Sequence, residues 1–208
     1  MITIKIYIDF DGTIYNTTKL YQEYINLLKK YNINEEYFQN KLNKNYQKNK
    51  NLNTITEYII NDYNLNNSIQ TELNNIIKNN LIYKDVIPFL EKYHNKYDLI
   101  LLTLGNKEFR EKKIKSSNIT KYFKKITITN NDKSKLNIDY QNEIFIDNNP
   151  EEFKKFYQAK AKHLIRIKRD NDKYSKINLD INNIPEFTDF NTLLKSNYID
   201  KIGKIKHE

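Results

Sequence analysis

The sequence has no cysteine, no tryptophan, three prolines and three glycines among its 208 residues. Without cysteine it cannot form disulfides, which fits a reducing compartment. So few prolines and glycines indicate no flexible linker, and we find no internal repeat. No apolar run reaches the roughly 20 residues of a membrane helix, and the N-terminal apolar stretch is too short for a signal peptide. We therefore expect a cytoplasmic globular protein without membrane contact.

Basic residues exceed acidic ones, with 35 lysines and arginines against 26 aspartates and glutamates and a formal net charge of +9. Basic side chains can follow a nucleic-acid backbone, and the 17 tyrosines could stack on bases. However, nearly all the basic residues are lysines, and they are spread along the whole chain, which is typical of a solvated surface. Nucleic acid is therefore a less favoured partner than a small anionic molecule, although it is not excluded.

The most informative segment is residues 2–13, which read I-T-I-K-I-Y-I-D-F-D-G-T. Its alternating β-branched residues predict a strand. That strand brings Asp9 and Asp11 to the carboxyl edge of a parallel sheet, where α/β proteins bind ligands, and Gly12 permits a sharp turn. Two carboxylates this close repel by about 4 kcal/mol at an effective dielectric near 20. Both can therefore stay ionised only beside a cation, unless one takes a proton. A cation together with one protonated carboxyl would give a metal-held nucleophile beside a general acid.

A second apolar run, residues 97–104, predicts a strand buried on both faces. Thr103 lies at its end, and Gly105 and Asn106 follow. Asn106 can cap a helix predicted for residues 107–116. The free amides at the start of that helix form an anion site.

Two shorter strands follow the same pattern of an apolar run that ends in polar residues. Residues 125–129, K-I-T-I-T, precede a polar turn that contains Lys133 and Lys135. Residues 143–147, E-I-F-I-D, bring Asp147 to the same edge of the sheet. The sequence thus predicts that four strand ends meet at one place.

D-F-D-G-T after an N-terminal apolar strand resembles the first signature of the haloacid dehalogenase (HAD) superfamily of aspartyl phosphatases, and the other three segments follow in the order that this family uses. The resemblance covers residues 1–16 and 84–189. It implies an α/β fold, with a Rossmann-like three-layer core and a mainly parallel sheet. It also implies a phosphatase-type hydrolase.

The resemblance implies a role for each residue of the first signature. Asp9 is expected to attack phosphorus, while Asp11 protonates the leaving oxygen and then activates water. Thr13 is expected to hold Asp11 in position through its hydroxyl or backbone. The predicted catalytic residues are Asp9, Asp11, Thr103 and Lys133.

The resemblance also implies a phosphate site. One lysine should neutralise the nucleophile and the phosphate, and we prefer Lys133 to Lys135 because it lies nearer the end of its strand. The hydroxyl of Thr103 and the backbone after it are expected to grip phosphoryl oxygens. The predicted phosphate-binding residues are Gly12, Thr13, Thr103, Leu104, Gly105, Asn106 and Lys133.

Mg²⁺ is the implied cofactor, since a hard cation prefers oxygen ligands. The expected ligands are Asp9, Asp147 and the main-chain carbonyl of Asp11. Many family members carry a second acid where this chain has Asn148. This change keeps an oxygen donor but removes a charge.

About seventy residues between the first two signatures have helical apolar periodicity. Such an insertion resembles the α-helical, C1-type cap of the superfamily, which closes over the site and contacts the leaving group. We predict a HAD-like core of residues 1–16 and 84–208 and a cap of residues 17–83. The four helical patterns occupy residues 20–31, 38–46, 55–63 and 69–81.

Three local predictions concern positions outside the signatures. Asp85 should cap a helix that contains Pro88. Glu151 and Glu152 are expected to stabilise a helix start rather than bind metal, since Asn149-Pro150 is a typical start. The tail from Lys201 is expected to be frayed.

The functional prediction is a Mg²⁺-dependent phosphatase of a small phosphorylated metabolite, acting through a phosphoaspartate. Asp11 favours ester hydrolysis because family members that cleave carbon–halogen or carbon–phosphorus bonds generally lack this acid. The alternatives are a phosphomutase with the same nucleophile, a nucleotide or nucleic-acid 3′-phosphatase, and a non-catalytic nucleic-acid-binding protein. We expect a monomer or a weak homodimer.

Overall fold

The computed structural model describes residues 4–46, 52–66 and 68–205. Six strands form one sheet within these residues. Each predicted strand is present, and its predicted polar residues lie at or just after its carboxyl end. The strands are β1 (Lys5–Ile8), β2 (Asp98–Leu104), β3 (Lys125–Thr129), β4 (Ile144–Asp147), β5 (His163–Ile167) and β6 (Glu186–Phe187).

The strand order in the sheet is β3-β2-β1-β4-β5-β6, and every neighbouring pair is parallel. Parallel neighbours require long crossover connections, which are usually helical. The nine helices in the described part of the chain are α1 (Thr17–Lys30), α2 (Glu35–Tyr46), α3 (Leu52–Asp62), α4 (Ser68–Lys78), α5 (Val86–Tyr93), α6 (Lys107–Ser116), α7 (Pro150–Gln158), α8 (Phe190–Ser196) and α9 (Tyr198–Ile205).

The two faces of the sheet pack into separate hydrophobic clusters because successive side chains of a strand point to opposite faces. In β4, Ile144 and Ile146 belong to the larger cluster. Phe145, between them, packs with Phe153 and Phe156 of α7 in the smaller one. Helices therefore cover both faces, which confirms the predicted α/β, Rossmann-like three-layer core with a parallel sheet.

The predicted helical insertion is also confirmed. Helices α1 to α4 lie between β1 and α5 in the chain, α1 contacts α2 and α4, and α4 contacts α6. Leu20 of α1 and Leu73 of α4 are fully buried in the same cluster as the sheet residues Ile6 and Ile8. Since this cluster is continuous, the boundaries at residues 16 and 84 stay predictions.

The prediction of a frayed tail is wrong for the residues that the structure describes. Residues 198–205 form α9, with Ile199 and Ile202 buried in the larger cluster. The hydroxyl of Tyr93 donates to the Asp200 carboxylate at 3.1 Å. The i, i+3 apolar pair gives the helix a face that packs on the core.

Asp85 precedes α5 as predicted, but its side chain makes no capping hydrogen bond. Its carboxylate instead accepts from Arg169 at 2.7 Å and from the backbone N–H of Phe190 at 2.6 Å. Arg169 and the first amide of α8 thus take the place of the α5 amide that was expected to bind Asp85. Across the described ranges, no helix combines the length and apolarity of a membrane span.

Candidate active site

Four neighbouring strands bring polar side chains to the carboxyl edge of the sheet. Asp9 directly follows β1, Thr103 is the penultimate residue of β2, and Asp147 is the last residue of β4. Lys133 begins a short 3-10 turn after β3. All four side chains are buried and line one cavity. The structure therefore brings together the residues predicted from distant parts of the sequence.

Lys133 links two of the predicted carboxylates. Its Nζ donates to Oδ1 of Asp9 at 2.6 Å and to Oδ2 of Asp147 at 2.8 Å. The two carboxylates therefore face one another around one ammonium. Lys135 is exposed, so its position gives no support to the alternative lysine.

The electrostatic environment of Asp9 opposes its ionisation. Burial and the Asp147 carboxylate raise the pKa of Asp9 well above its usual range, although Lys133 lowers it. Burial likewise raises the pKa of Asp147. Two acids thus share one buried cation, and a second cation would stabilise both carboxylates.

Asp11 has the opposite environment. Its carboxylate forms ion pairs with Arg110 and Lys113 of α6, and it accepts a hydrogen bond from the Thr17 hydroxyl at 3.0 Å. Although burial alone would raise it, Arg110 and Lys113 lower the pKa of Asp11 to about 2. The Asp11 side chain is therefore held ionised by α6.

The expectation that Thr13 holds Asp11 is wrong for the Thr13 hydroxyl, because the Thr17 hydroxyl binds Asp11 instead. Thr13 is fully buried, and its hydroxyl lies 3.4 Å from Oδ2 of Asp9 and 3.4 Å from Oδ1 of Asn148. The turn at Gly12, with φ of +81°, directs Thr13 back toward the sheet. Thr13 is therefore a neighbour of the nucleophile rather than of the acid.

Lys113 and Arg110 are the functional residues of α6 that sequence reasoning missed. The Lys113 side chain is 1% exposed, and its ammonium lies 4.3 Å from the ring centroid of Tyr15. Burial lowers the pKa of Lys113 to about 8, against the effect of Asp11. Two basic residues at i, i+3 after the second signature were a signal, since this spacing puts them on one helix face.

The segment after β2 is only partly as predicted. Asn106 caps α6 by accepting from the N–H of Phe109 at 3.0 Å. The N–H of Gly105 donates to the Thr129 carbonyl at 2.8 Å, so it is not available to phosphate in this arrangement. The Leu104 carbonyl accepts from Arg110 at 2.9 and 3.0 Å. The helix start and the Thr103 hydroxyl are the better candidates for phosphate contacts.

The predicted residues face a cavity of about 360 Å³. Cavities of this size suit small molecules. Its floor is the polar edge of the sheet, and its opposite wall comes from α1, α2 and α3. This part of the cavity is lined by uncharged side chains, those of Thr17, Thr18, Tyr21, Leu42, Ile55 and Phe109.

The donor set fits a hard divalent cation. Asp9, Asp147 and the main-chain carbonyl of Asp11 offer only oxygen, as Mg²⁺ prefers. The two carboxylates share only one buried ammonium, so a further positive charge is favourable there. Within residues 4–46, 52–66 and 68–205, no three acidic or imidazole side chains form a metal cluster, so carbonyl and water ligands would have to complete the shell.

Glu152 lies in the first turn of α7, as predicted, and it also lines the cavity. Its Oε1 accepts from Lys155 at 2.9 Å, while its buried Oε2 has no hydrogen-bond partner in the described structure. Glu151 is exposed, and its N–H donates to Oδ1 of Asn149 at 3.1 Å, as expected for a helix cap. A second acid that the sequence did not indicate, Asp172, also lines the cavity.

The chain belongs to the haloacid dehalogenase-like hydrolase family, since residues 6–139 match the profile of that family. No curated protein sequence matches the chain. Among solved structures, the HAD hydrolase YfnB from Bacillus subtilis, bound to magnesium, is 12% identical with a TM-score of 0.63, covering 94% of this chain and 99% of that one.

Two other solved structures illustrate how diverse the similar proteins are. One described as a β-phosphoglucomutase from Thermotoga maritima is 13% identical, covers 78% of this chain and 84% of that one, and has a TM-score of 0.58. The L-2-haloacid dehalogenase from Xanthobacter autotrophicus is 12% identical, with coverages of 84% and 80% and a TM-score of 0.57. Likeness at this level shows the fold and leaves the reaction to the site residues.

Proposed function

We propose that the protein is a Mg²⁺-dependent phosphatase that hydrolyses a small phosphorylated metabolite through a phosphoaspartate at Asp9. The observation that carries the proposal is a second carboxylate, Asp11, which lines the same cavity as the buried nucleophile. An alkoxide leaving group needs a proton, whereas a halide does not. Asp11 therefore favours ester hydrolysis over dehalogenation.

In the first step, an oxygen of Asp9 attacks phosphorus, and the bond from phosphorus to the leaving oxygen breaks. Asp11 gives its proton to that oxygen, so the alcohol departs neutral. Lys133 stabilises charge on Asp9 and on the phosphoryl group, and Thr103 can donate to a phosphoryl oxygen. Mg²⁺ held by Asp9, Asp147 and the Asp11 carbonyl would neutralise further phosphoryl charge.

In the second step, Asp11 takes a proton from water, and the hydroxide formed attacks the phosphoaspartate. This releases phosphate and returns Asp9 and Asp11 to their starting states. The ion pairs with Arg110 and Lys113 favour the carboxylate that this step requires. The acid form needed for the first step requires Arg110, which also lines the cavity, to turn toward the anionic substrate.

The cavity supports a small substrate rather than a nucleic-acid strand, because α1, α2 and α3 wall it on one side. A phosphomutase would use the same residues but would return the phosphoryl group to its substrate. Stoichiometric phosphate release from several esters separates the two activities.

The test is release of phosphate from a panel of sugar phosphates, nucleoside monophosphates and short acid phosphates, with and without Mg²⁺. Halide release from a 2-haloacid is measured in parallel. Asp9→Asn is compared with the matched surface variant Asp170→Asn, since Asp170 is exposed. We expect Mg²⁺-dependent phosphate release by the wild type and Asp170→Asn, and none by Asp9→Asn.

Two results would contradict the proposal. Halide release without phosphate release would make the protein a dehalogenase. Unchanged phosphate release by Asp9→Asn would remove the nucleophile, whatever the substrate.

A further inference from the structure

Asn148 stands at the position where many relatives carry a second acid, and the structure shows what its amide contacts. Asn148 is buried, and its Oδ1 lies 3.4 Å from the Thr13 hydroxyl, on the side of Asp9. Nδ2, at the other end of the amide, and Oδ2 of Asp172 lie against the same point of Gly12, since a Cβ atom there would be 2.1 Å from the first and 2.8 Å from the second. Because a carboxylate only accepts, Nδ2 is the end of the amide that suits a place beside Asp172.

Asp172 comes from the loop after β5, yet it lies at the catalytic loop. It is 7% exposed and lines the cavity. A Cβ atom on Gly12 would lie only 2.8 Å from Oδ2 of Asp172. The carboxylate is thus packed against the backbone of the D-F-D-G-T segment, which only glycine permits at this point.

Arg166, fully buried, ties the two partners together. Its Nε donates to the main-chain carbonyl of Asn148 at 3.3 Å, and its Nη2 donates to the carbonyl of Tyr174 at 2.9 Å. The N–H of Tyr174 in turn donates to Oδ1 of Asp172 at 2.8 Å. The loop that carries Asp172 is therefore held at a set position relative to Asn148.

Arg169 attaches the same loop to the catalytic segment. Its Nη2 donates to the main-chain carbonyl of Thr13 at 2.9 Å, while its Nη1 binds Asp85. Two buried arginines thus join the Asp172 loop to both motifs that carry the proposed metal ligands. The Asp172 loop is therefore held against the candidate active site by buried hydrogen bonds, unlike a turn that is exposed on the surface.

We propose that Asp172 replaces the acid missing at position 148: it returns a negative charge to the Mg²⁺ site and orients the Asn148 amide oxygen toward that site. An amide can present either oxygen or NH₂, and a carboxylate that binds the NH₂ decides which one faces the metal. This inference rests on the Mg²⁺ dependence in the proposed function. Asp172 acts as a positioning residue, because it works through Asn148.

The test exchanges the two side chains. Asp172→Asn removes the charge, and the amide introduced there can no longer select one orientation of the Asn148 amide. The double variant Asn148→Asp with Asp172→Asn moves the charge back to position 148, where the carboxylate can accept from the amide introduced at position 172. Asp170→Asn removes the same charge from an exposed position two residues away and serves as the matched control.

The readouts are Mg²⁺ affinity of the full chain by titration calorimetry and the Mg²⁺-dependent shift in thermal midpoint, neither of which needs turnover. We expect Asp172→Asn to bind Mg²⁺ about 10- to 100-fold more weakly, the range for outer partners of metal ligands. The exchanged variant should recover most of this loss, and Asp170→Asn should bind as the wild type does.

Wild-type affinity in Asp172→Asn would overturn the inference, as would an exchanged variant that binds as weakly as Asp172→Asn. If Asp172→Asn does not fold, Asn148→Leu, which keeps the shape without the amide, is measured instead and should lose affinity to a similar extent. If Asn148→Leu bound Mg²⁺ as tightly as the wild type does, the inference would also be overturned.

The same measurements separate this inference from the proposed function. The expected Mg²⁺ pattern without any phosphate release would overturn the phosphatase and leave the inference standing. Phosphate release by a wild type that does not bind Mg²⁺ would overturn the inference and the metal dependence together.

Discussion

Asp9 and Asp11 are two residues apart in the sequence, but their surroundings are opposite. Asp9 shares the single ammonium of Lys133 with Asp147, and its pKa is raised. Asp11 is paired with two cations, Arg110 and Lys113, and its pKa is lowered to about 2. One carboxylate has too little positive charge around it, and the other has an excess.

The comparison shows that one loop can hold two carboxylates in different electrostatic environments. A divalent cation stabilises a carboxylate that has little positive charge around it, so Asp9 fits a metal-held nucleophile. A carboxylate between two cations is held in place in its ionised form, which the second proposed step requires.

The largest expected effect comes from removing the cation on the Asp9 side. Lys133→Met leaves Asp9 and Asp147 buried against each other, and breaking a buried pair costs about 3–5 kcal/mol. We expect that loss in the free energy of urea unfolding, partial recovery on adding Mg²⁺, and no turnover. Lys135→Met, from the exposed lysine two residues on, is the control and should change neither property.

Asp11→Asn tests the other half of the comparison. An amide cannot protonate an alkoxide, so kcat for alkyl phosphates should fall by about 10²- to 10⁴-fold. For a nitrophenyl phosphate, whose leaving group needs no proton, Asp11→Asn should slow the formation of the phosphoaspartate by a smaller factor. Pre-steady-state release of nitrophenol checks this, and an equal loss for both substrates would argue against Asp11 as the acid.

Mg²⁺ should stabilise the Asp9 side alone. At 100 times its Kd, a ligand that binds only the folded state raises the free energy of unfolding by about 2.7 kcal/mol. We expect a Mg²⁺-dependent rise in thermal midpoint for the wild type that disappears in Asp147→Asn. Asp11 has its own cations, so the Lys113→Met variant should still show the Mg²⁺-dependent rise in thermal midpoint. If Lys113→Met abolished that rise, the surroundings of Asp9 and Asp11 would not be independent.

The smallest effect is a pH dependence on the Asp11 side. A folded pKa of about 2, below the usual value, contributes stability that is complete above about pH 4 and is lost as the pH falls through 2. Lys113→Met leaves only Arg110 beside Asp11, so the pKa rises and up to roughly 2 kcal/mol of this contribution is lost.

The difference between Lys113→Met and the wild type in urea unfolding should therefore be larger at pH 6 than at pH 3. The cost of burying the Lys113 ammonium does not confuse this test, because its pKa of about 8 leaves it charged at both pH values. Lys112→Met, at an exposed position of the same helix, is the control. A difference that stays constant between pH 3 and pH 6 would contradict the ion-pair account.

The strand ends were predictable because they depend on local patterns. Apolar runs identify strands buried in a sheet, and a parallel sheet gathers their carboxyl ends whatever the sequence distance. Asn106 as the cap of α6 and Asn149 as the cap of α7 were likewise readable, since capping involves residues within one turn. The position of Lys133 followed from its distance to the end of β3.

The partners of those residues were harder to predict because they come from other elements. Thr17 rather than Thr13 binds Asp11, since the turn at Gly12 directs the Thr13 side chain away from Asp11. Asp172 lies in a loop without periodicity, so no pattern could place it beside Asn148. The order of the tail depended on packing against the core, which a polar composition conceals.

The sequence by itself determined the family, the parallel sheet and the set of acids and lysine at its edge, because apolar periodicity and motif order are properties of the chain. Only the tertiary structure decided how charge is shared among them. Asp9 shares one cation with a second carboxylate, whereas Asp11 has two cations to itself. This difference depends on which helices and loops pack beside each residue. Electrostatic energy follows distances between atoms, and sequence separation does not contain those distances.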